Sequence, residues 1–255
     1  KYNDPNKARI FADKGGFNEK FHDMIHHRWF VNENLTYEEF KEKIKGLKSL
    51  IVKPIASTQG KGVQKFSCNI SEEENQKLYQ TLMKLGRSII EEYIIQHEEM
   101  MKFCDTSVNT IRITTLNYHG ECRFLYAVFR MGRGSVVDNF HAGGIAAGVN
   151  VETGIVDTEA GDTEGNTYAA NPYSGRTIPG FQIPHWDRII EACQKIYDRI
   201  EDVNLIGWDF AITKDGAELI EGNPLVSHTL GQVPYVKERK GLRDRMVDPY
   251  LEEYC

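Results

Sequence analysis

The chain has 255 residues, a formal net charge of −6 and a pI near 5.8, so it lacks the basic character of a nucleic-acid-binding protein. Its apolar content of 40% suits one large globular domain or two modest ones. No stretch approaches the ~18 apolar residues of a membrane span, and no signal peptide is evident. The five cysteines are scattered and form no CxxC pair, which favours a reducing, cytoplasmic setting.

Residues 1–47 are predicted to form short helices, because apolar residues recur there at helical spacing. Those residues are Phe21, Ile25 and Trp29, then Leu35, Phe40 and Ile44, with Asn18 or Asn34 as caps. His22 and His26 lie four residues apart, as a metal pair on a helix would, but no third ligand is evident. We therefore expect a structural or surface role for these histidines. The chain begins at Lys1 rather than Met, which is compatible with an upstream segment.

Residues 48–66 change abruptly to two short strands, 50–53 and 63–66, joined by a glycine-rich loop at 57–62. Small side chains, two glycines and a lysine let the backbone N–H groups of such a loop approach phosphate oxygens. The GxxxxGK[ST] spacing is absent, so the loop is not a P-loop, and an ordinary hairpin turn is the alternative. Lys53 lies between apolar neighbours, where an edge-strand lysine that reaches to water is the simplest interpretation.

A helix and a strand are predicted next. Ser71 and Glu74 form a capping box at the start of a helix that runs to about Leu85. Residues 87–94, RSIIEEYI, are then a strand. The adjacent acids in this strand suit a segment that lines a polar cleft, and an edge strand with one wet face is the alternative.

Two further strands, 108–116 and 121–131, each contain one arginine in an otherwise apolar or β-branched run. Arginines in such positions pair with acids or bind anions, and pairing with a structural acid is the commoner outcome for either Arg112 or Arg130.

The rest of the chain alternates loops with strands and one helix. A glycine-rich loop at 139–150 leads into a strand, and 151–161 continues as a strand pair. Residues 162–179 are polar and rich in Gly, Asn and Pro, so we expect a long exposed loop or lid. A helix at about 185–199 and a last helix at 242–254 complete the prediction.

Residues 205–223, LIGWDFAITKDGAELIEGN, are predicted to form a β-hairpin that binds a metal ion. If 214–216 is a three-residue loop, Asp209 lies opposite Glu221, and such partners have Cβ atoms ~4.5–5.5 Å apart. Asn223 then falls on the same face, and the three side chains supply the oxygen ligands that Mg²⁺ takes together with phosphates. A two-residue loop would put the acids on opposite faces, and ordinary surface acids are the alternative.

Taken in order, these segments resemble the ATP-grasp superfamily, and within it the sugar-transfer-associated group found near polysaccharide genes. The resemblance covers most of residues 50–223 and rests on six segments: IVKP at 51–54, STQGKGV at 57–63, RSIIEEYI at 87–94, SVNTIRI at 107–113, FHAGGIAAGV at 140–149 and GWDFAIT…LIEGN at 207–223. It implies an α+β ATP-grasp fold with two α+β subdomains sandwiching the nucleotide. The implied division is a helical N-terminal segment at 1–47, a small lid subdomain at 48–95 and a large subdomain with the metal site at 96–255. Only about 50 residues precede the IVKP strand, where the superfamily normally has a full α/β domain.

The resemblance also implies roles for individual residues in binding ATP and Mg²⁺, as one or two ions with Mn²⁺ as an alternative. Phosphate contacts would come from Lys53, from Lys14, and from the loop residues Gly60, Lys61, Gly62 and Val63. The adenine hinge would be Glu91, Glu92, Tyr93 and Ile94, and the ribose would lie near Gln96, His97, Glu98 or Glu99. The metal ligands would be Asp209, Glu221 and Asn223. Arg112 would steady the transferred phosphoryl group, while Asn109 and the loop at 141–144 with His141 would border the acceptor.

The implied reaction has two steps. The γ-phosphoryl group passes to a substrate carboxylate, and an amine then attacks the acyl phosphate, with Arg112 and the backbone of Gly143 and Gly144 at the oxyanion. The loop at 57–63 and the segment at 162–179 would exclude water. The predicted substrates are a small-molecule carboxylate and an amine, sugar-linked by family association, in polysaccharide or sugar-conjugate biosynthesis.

Two other functions remain open at this point. The first is an ATP-grasp kinase that phosphorylates a hydroxyl acceptor directly. The second is a non-catalytic nucleotide-binding partner of a glycosyltransferase, against which the complete acid–acid–amide set weighs. On either catalytic hypothesis, Asp209→Ala is expected to abolish turnover without loss of the fold.

Overall fold

The computed structural model describes residues 2–55, 62–134, 143–237 and 241–246. The chain divides into two compact units, one formed by residues 9–94 and the other by residues 1–8 and 95–255. The boundary after residue 94 lies one residue before the expected boundary after residue 95. Residues 9–47, expected as a separate segment, group with 48–94 in this division. No helix among the described residues is long and apolar enough to cross a membrane.

The unit formed by residues 9–94 is built on a four-stranded antiparallel sheet in the order β1-β4-β2-β3. Its strands are β1 (Trp29–Val31), β2 (Ser49–Pro54), β3 (Gln64–Ser67) and β4 (Ser88–Glu92). Its helices are α1 (Lys14–Lys20), α2 (Tyr37–Ile44) and α3 (Glu72–Lys84), preceded by a 3₁₀ helix at Lys7–Phe11. The purely helical prediction for 1–47 was wrong at β1, a three-residue strand too short to leave a period in the sequence.

The core of this unit lies between the sheet and the helices α2 and α3. Alternate strand residues point toward the helices, and apolar side chains at helical spacing on α2 and α3 meet them. This core contains Phe30, Leu35, Phe40, Ile44, Leu47, Leu50, Val52, Leu78, Leu82 and Ile90. The other strand residues, Ile51, Lys53 and Glu91 among them, therefore point to the opposite face of the sheet.

The predicted capping box at the start of α3 is confirmed at its serine. The Ser71 hydroxyl accepts a hydrogen bond from Glu74 N at 3.2 Å. Thr36 and Glu39 form a complete capping box at the start of α2, which the sequence analysis did not identify.

The other unit contains a seven-stranded antiparallel sheet in the order β11-β10-β5-β6-β7-β8-β9. Its strands are β5 (Thr110–Tyr118), β6 (Glu121–Met131), β7 (Ile145–Val149), β8 (Val156–Gly161), β9 (Thr167–Tyr168), β10 (Leu205–Ile212) and β11 (Ala217–Asn223). Its helices are α4 (Glu98–Met101), α5 (Trp186–Ile196), α6 (His228–Gln232) and α7 (Arg243–Met246), with 3₁₀ turns at Tyr197–Arg199 and Val233–Tyr235. The predicted strands at 108–116, 121–131 and 205–223 are confirmed within two residues.

The segment after β11 covers part of one face of the seven-stranded sheet, the face that carries Tyr126 and Val128. An apolar cluster there joins β5, β6 and β7 to α6 and the residues that follow it, and includes Tyr126, Val128, Ala146, Leu230 and Tyr235. Helix α5 contacts β6 and β11 and buries Trp186, Ile189, Cys193 and Ile196. The charged residues of β5, β6 and β10 lie on the face of Tyr126 and Val128, beyond the apolar cluster.

Candidate functional site

The hairpin of β10 and β11 places Asp209 directly opposite Glu221, as predicted, but by a different route. Ile212 pairs with Ala217, so the connection contains four residues, 213–216, instead of three. A β-bulge beside Asp209 and Phe210 then inserts Ile220 into β11 and restores the pairing of the two acids. The acids therefore share one face because two one-residue deviations from the assumed hairpin cancel.

Asp209 is held by two arginines from neighbouring strands. Arg112 of β5 lies directly opposite Asp209 and makes a two-pronged contact, with Nε on Oδ1 and Nη2 2.7 Å from Oδ2. Arg130 of β6 reaches past β5, donates to Thr110 Oγ1 at 2.8 Å and places Nη2 3.1 Å from Asp209 Oδ2. Burial alone would raise the pKa of Asp209, but the two guanidiniums bring it down to about 2. Asp209 is therefore ionised at neutral pH.

Glu221 and Asn223 form the more accessible part of this cluster. The Glu221 side chain is 47% exposed, its Oε1 accepts from Asn223 Nδ2 at 3.2 Å, and Arg112 Nη2 lies 3.9 Å away. Partial removal from water and the negative charge of Asp209 raise the pKa of Glu221. The two carboxyl groups are thus close enough to repel each other.

The residues of this cluster fit a divalent cation. Asn223 donates through its nitrogen, which leaves its carbonyl oxygen as a ligand, and each carboxylate oxygen has two lone pairs, so contact with arginine does not exhaust Asp209. The fit depends on an amide: among the described residues, no three His, Cys, Asp or Glu side chains form a metal-binding group. Two acids and one amide are a hard oxygen set suited to Mg²⁺.

Gly207 gives Arg112 the space that it occupies. A Cβ atom on Gly207 would lie 3.0 Å from Arg112 Cδ and 3.2 Å from its Nη1. Contacts of that length are tighter than ordinary van der Waals packing, so any side chain at 207 would displace the arginine. Because Gly207 of β10 has no side chain, the Arg112 side chain of β5 can pass over it.

The other unit contains a second charged cluster, at Lys53, Glu91 and His27. Lys53 of β2 lies diagonally across from Glu91 of β4, and its ammonium forms an ion pair with Oε2. His27 Nε2 lies 3.7 Å from Oε1 of the same carboxylate. Burial would raise the pKa of Glu91, but Lys53 and His27 lower it to about 2. The edge-strand interpretations of Lys53 and of Glu91 with Glu92 were wrong, because β2 and β4 are both interior strands.

The remaining residues of the expected adenine hinge have separate partners. Glu92 accepts from Arg28 N at 3.2 Å, and the Lys65 ammonium lies 3.4 Å from the centre of the Tyr93 ring. Ile94 is partly buried. The structure thus gives the Glu91 side chain a lysine as its partner, in place of the adenine contact expected for it.

The expected phosphate-contacting residues are placed in part. Lys14 begins α1 and donates to the Ile55 carbonyl at 3.1 Å, at the point where β2 leads into the glycine-rich loop. Gly60 and Lys61 lie outside the described residues. Gly62 has φ of +77° and is exposed, and Val63 is partly buried. A Cβ on Gly62 would lie 3.0 Å from Pro54 Cγ, so this end of the loop requires glycine for both conformation and space.

Asn109 is part of a buried hydrogen-bond network. It has no exposed surface, and its Nδ2 lies 2.9 Å from Gln96 Oε1 and from the Met100 and Cys104 carbonyls. Its Oδ1 accepts from Gly132 N at 3.3 Å. These contacts give Asn109 an architectural role, and Gln96 shares this buried network. His97 caps α4, with Nδ1 accepting from Glu99 N at 3.1 Å.

His141 lies outside the described residues. Gly143, which follows, has its carbonyl bound by Arg133 Nε at 2.5 Å. Arg133 Nη1 also lies 3.1 Å from the Tyr168 hydroxyl and 3.8 Å from Asp162, which is buried. The expectation of a long exposed loop at 162–179 is largely confirmed, because most of these residues are exposed and lie outside regular structure. Asp162 and Asn171 are buried, and the two-residue strand β9 joins the segment to the sheet. The lid role stays a prediction.

Two residues of these clusters were missing from the predicted site. Arg130 was noticed as an arginine in a strand, but nothing in the sequence shows that it reaches two strands to Asp209. His27 lies outside any regular element, and it is its neighbour His26 that lies four residues from His22, as a metal pair on a helix would. The only available signal for His27 was a histidine just before a strand that pairs with the Glu91 strand.

The fold is the one found in ATP-grasp enzymes. The structure is similar to N5-carboxyaminoimidazole synthetase from Staphylococcus aureus complexed with ADP, with a TM-score of 0.58 and 13% identity over 96% of this chain and 53% of that one. It is also similar to D-alanine–D-alanine ligase from Bacillus anthracis complexed with ATP, with a TM-score of 0.54 and 15% identity over 98% and 70% of the two chains. The ATP-grasp ligase PsnB, complexed with a phosphomimetic variant of minimal precursor, Mg and ADP, gives 0.54 and 11% over 91% and 56%.

The chain belongs to the sugar-transfer associated ATP-grasp family, whose pattern matches residues 1–248. No curated protein matches the sequence. This chain spans little more than half the length of PsnB and of the synthetase. The predicted fold and family are therefore confirmed, whereas the roles of individual residues rest on the geometry described above.

Proposed function

We propose that this protein is an ATP-dependent ligase that joins a carboxylate to an amine through an acyl phosphate, in polysaccharide or sugar-conjugate biosynthesis. The observation that carries the proposal is the pairing of Asp209 with Glu221 on one sheet face, beside Asn223 and two arginines. An acid pair with an amide suits a cation on phosphate oxygens, and two arginines suit the phosphoryl group itself. The family description supplies the association with sugar transfer.

In this proposal, Asp209, Glu221 and Asn223 hold Mg²⁺, which when bound neutralises charge on the β- and γ-phosphates. Lys53, which is fixed by Glu91, and Lys14 carry positive charges suited to phosphate oxygens. Arg112 and Arg130 contact the γ-phosphoryl group as its bond to the ADP oxygen breaks and its bond to the carboxylate oxygen forms.

The second step needs an uncharged amine and a stabilised oxyanion. The amine nitrogen forms a bond to the acyl carbon, the carbon–oxygen bond to phosphate breaks, and phosphate leaves with the electron pair of that bond. The amine loses its proton to solvent or to phosphate. Arg112, whose guanidinium carries a permanent charge beside Asp209, is placed to stabilise the negative oxygen of the tetrahedral intermediate.

The test is a screen for ADP release with Mg-ATP over amino acids, uronic acids and amino sugars, singly and in pairs, with mass spectrometry of each hit. A ligase releases ADP and phosphate in equal amounts and yields a product lighter by one water than its two substrates. ADP release with one hydroxyl acceptor and a phosphorylated product would establish a kinase instead. Nucleotide binding without ADP release from any pair would contradict both activities.

A further inference from the structure

Two arginines, Arg112 buried and Arg130 partly buried, share one carboxylate on the seven-stranded sheet. Arg112 is 7% exposed and Asp209 1%, and the Arg130 side chain is 13% exposed. Thr110 fixes the Arg130 guanidinium by accepting from its Nε at 2.8 Å. Each arginine has a second contact besides Asp209: Arg112 packs against Gly207, and Arg130 donates to Thr110. Neither side chain can therefore turn to solvent without losing a contact.

The formal charges of this cluster cancel. Asp209 and Glu221 supply two negative charges when ionised, and the two guanidiniums supply two positive charges within 4 Å of these carboxyl groups. A divalent cation that entered alone would add two positive charges beside two buried guanidiniums. Repulsion between charges a few ångströms apart amounts to several kcal/mol even at the effective dielectric of a protein surface. The acids by themselves are therefore a poor site for a free cation.

Phosphate oxygens change this balance. A polyphosphate chain brings several negative charges, offers the guanidiniums paired hydrogen-bond acceptors and completes the coordination of the cation. The arginines then stabilise the complex that they would otherwise oppose.

We propose that Arg130, together with Arg112, prevents this cluster from binding a divalent cation unless a polyphosphate binds with it. The inference rests on the proposed function for the identity of the polyphosphate as a nucleotide. It goes beyond that function in assigning to Arg130 the order in which the cation and phosphates are accepted.

The first experiment measures Mn²⁺ binding to the full chain without nucleotide, by the loss of the free Mn²⁺ signal in electron paramagnetic resonance. The wild type is expected to bind Mn²⁺ only in the millimolar range. In Arg130→Gln, one positive charge is lost and binding should tighten at least about tenfold. The matched control is Arg123→Gln, since Arg123 lies on the same strand in an exposed pair with Glu121 and its replacement removes the same net charge.

Two results would overturn the inference: tight Mn²⁺ binding by the nucleotide-free wild type, or equal binding by the Arg130→Gln and Arg123→Gln variants. Arg130→Lys keeps the charge and should resemble the wild type, which separates charge from a change in packing. Thermal unfolding of each variant shows whether it is folded.

A second measurement uses the wild type alone and therefore does not depend on the folding of a variant. Water proton relaxation distinguishes Mn²⁺ on the slowly tumbling protein from Mn²⁺ on free nucleotide. Adding ADP or tripolyphosphate should raise protein-bound Mn²⁺ at least about tenfold at a fixed Mn²⁺ concentration. A rise with tripolyphosphate but not with ADP supports the inference and contradicts the nucleotide function, and no rise with either contradicts the inference.

Discussion

Each unit of this protein contains a buried acid that neighbouring cations keep ionised. The two clusters differ in the group that reaches solvent, which is a cation in one and an acid in the other. Glu91 is held by one lysine and faces a histidine, and Asp209 is held by two arginines. The pKa of each acid is about 2 although burial would raise it. The same electrostatic device therefore occurs twice, on unrelated sheets.

The difference lies in which member of each cluster reaches solvent. In the first cluster the Lys53 side chain is 21% exposed and Glu91 only 7%, so the acid orients a cation that is available to a ligand. In the second cluster the arginines and Asp209 are buried and the Glu221 side chain is 47% exposed. There the cations orient the acids that are proposed to hold a metal ion. On the proposed function, the accessible group, and not the buried partner, is the one that each cluster offers to its ligand.

The largest effect is expected from Asp209→Ala. Two buried guanidiniums lose their partner, which costs about 3–5 kcal/mol, and ADP release falls below detection because a metal ligand is lost. Denaturant unfolding and the ADP assay measure the two effects. The variant is still expected to fold, but with lower stability than the wild type. A variant as stable as the wild type would show that the arginines do not depend on Asp209.

Glu91→Gln tests the cluster in which a buried acid orients an accessible lysine. Lys53 keeps a neutral acceptor but loses its counter-ion, so stability should fall by about 2 kcal/mol and ADP affinity by roughly tenfold, with kcat less affected than KM for ATP. Calorimetric titration with ADP measures the affinity. Glu73→Gln is the matched control, because Glu73 belongs to the same unit, pairs with Lys77 in solvent and loses the same charge. Equal losses in the two variants would remove the positioning role of Glu91.

Acid unfolding sharpens the comparison because the folded-state pKa of both acids lies below the unfolded value. Such groups contribute stability that is fully present above the unfolded pKa of 4.5 for Glu91 and is lost as the pH falls through about 2. The wild type should therefore lose stability steeply between these values. In Glu91→Gln the slope of unfolding free energy against pH should be smaller over the same range, as measured by denaturant unfolding in steps of pH. An unchanged slope would mean that Glu91 is not ionised in the folded protein.

The smallest effect is expected from Gly207→Ala. The added methyl group displaces Arg112 by a few tenths of an ångström, which should cost about 1 kcal/mol of stability. Turnover should fall several-fold with little change in KM for ATP, because Arg112 is proposed to act on the phosphoryl group in transfer. Gly86→Ala is the control, since a Cβ there meets no atom within 4 Å. Identical kinetics in the two variants would separate Gly207 from the position of Arg112.

The sequence was sufficient for the strands and for the acid pair, because alternation and turn residues are local signals. It was not sufficient for the bulge at Ile220, which depends on how β11 packs against β10. The predicted register was right because this bulge offsets the extra residue in the connection 213–216. Arg130 and His27 could not be assigned for a related reason. Each acts on a residue on another strand, and the length and direction of a side chain across strands are not encoded in local pattern. Within 162–179 the polar composition correctly predicted an exposed loop, but it did not show that Asp162 and Asn171 are buried with hydrogen-bond partners.

Gly207 and Arg112 occupy one volume between them, since the arginine fills the space that a side chain on its neighbour would take. The two positions are thus linked as two halves of a single feature. A guanidinium could enter that space from β10 as well as from β5, provided that the other strand leaves it empty. Relatives that carry an arginine at the position of Gly207 should therefore carry a small residue at the position of Arg112. In such a relative, the loss of Arg112 would not mean that the guanidinium is missing from this space.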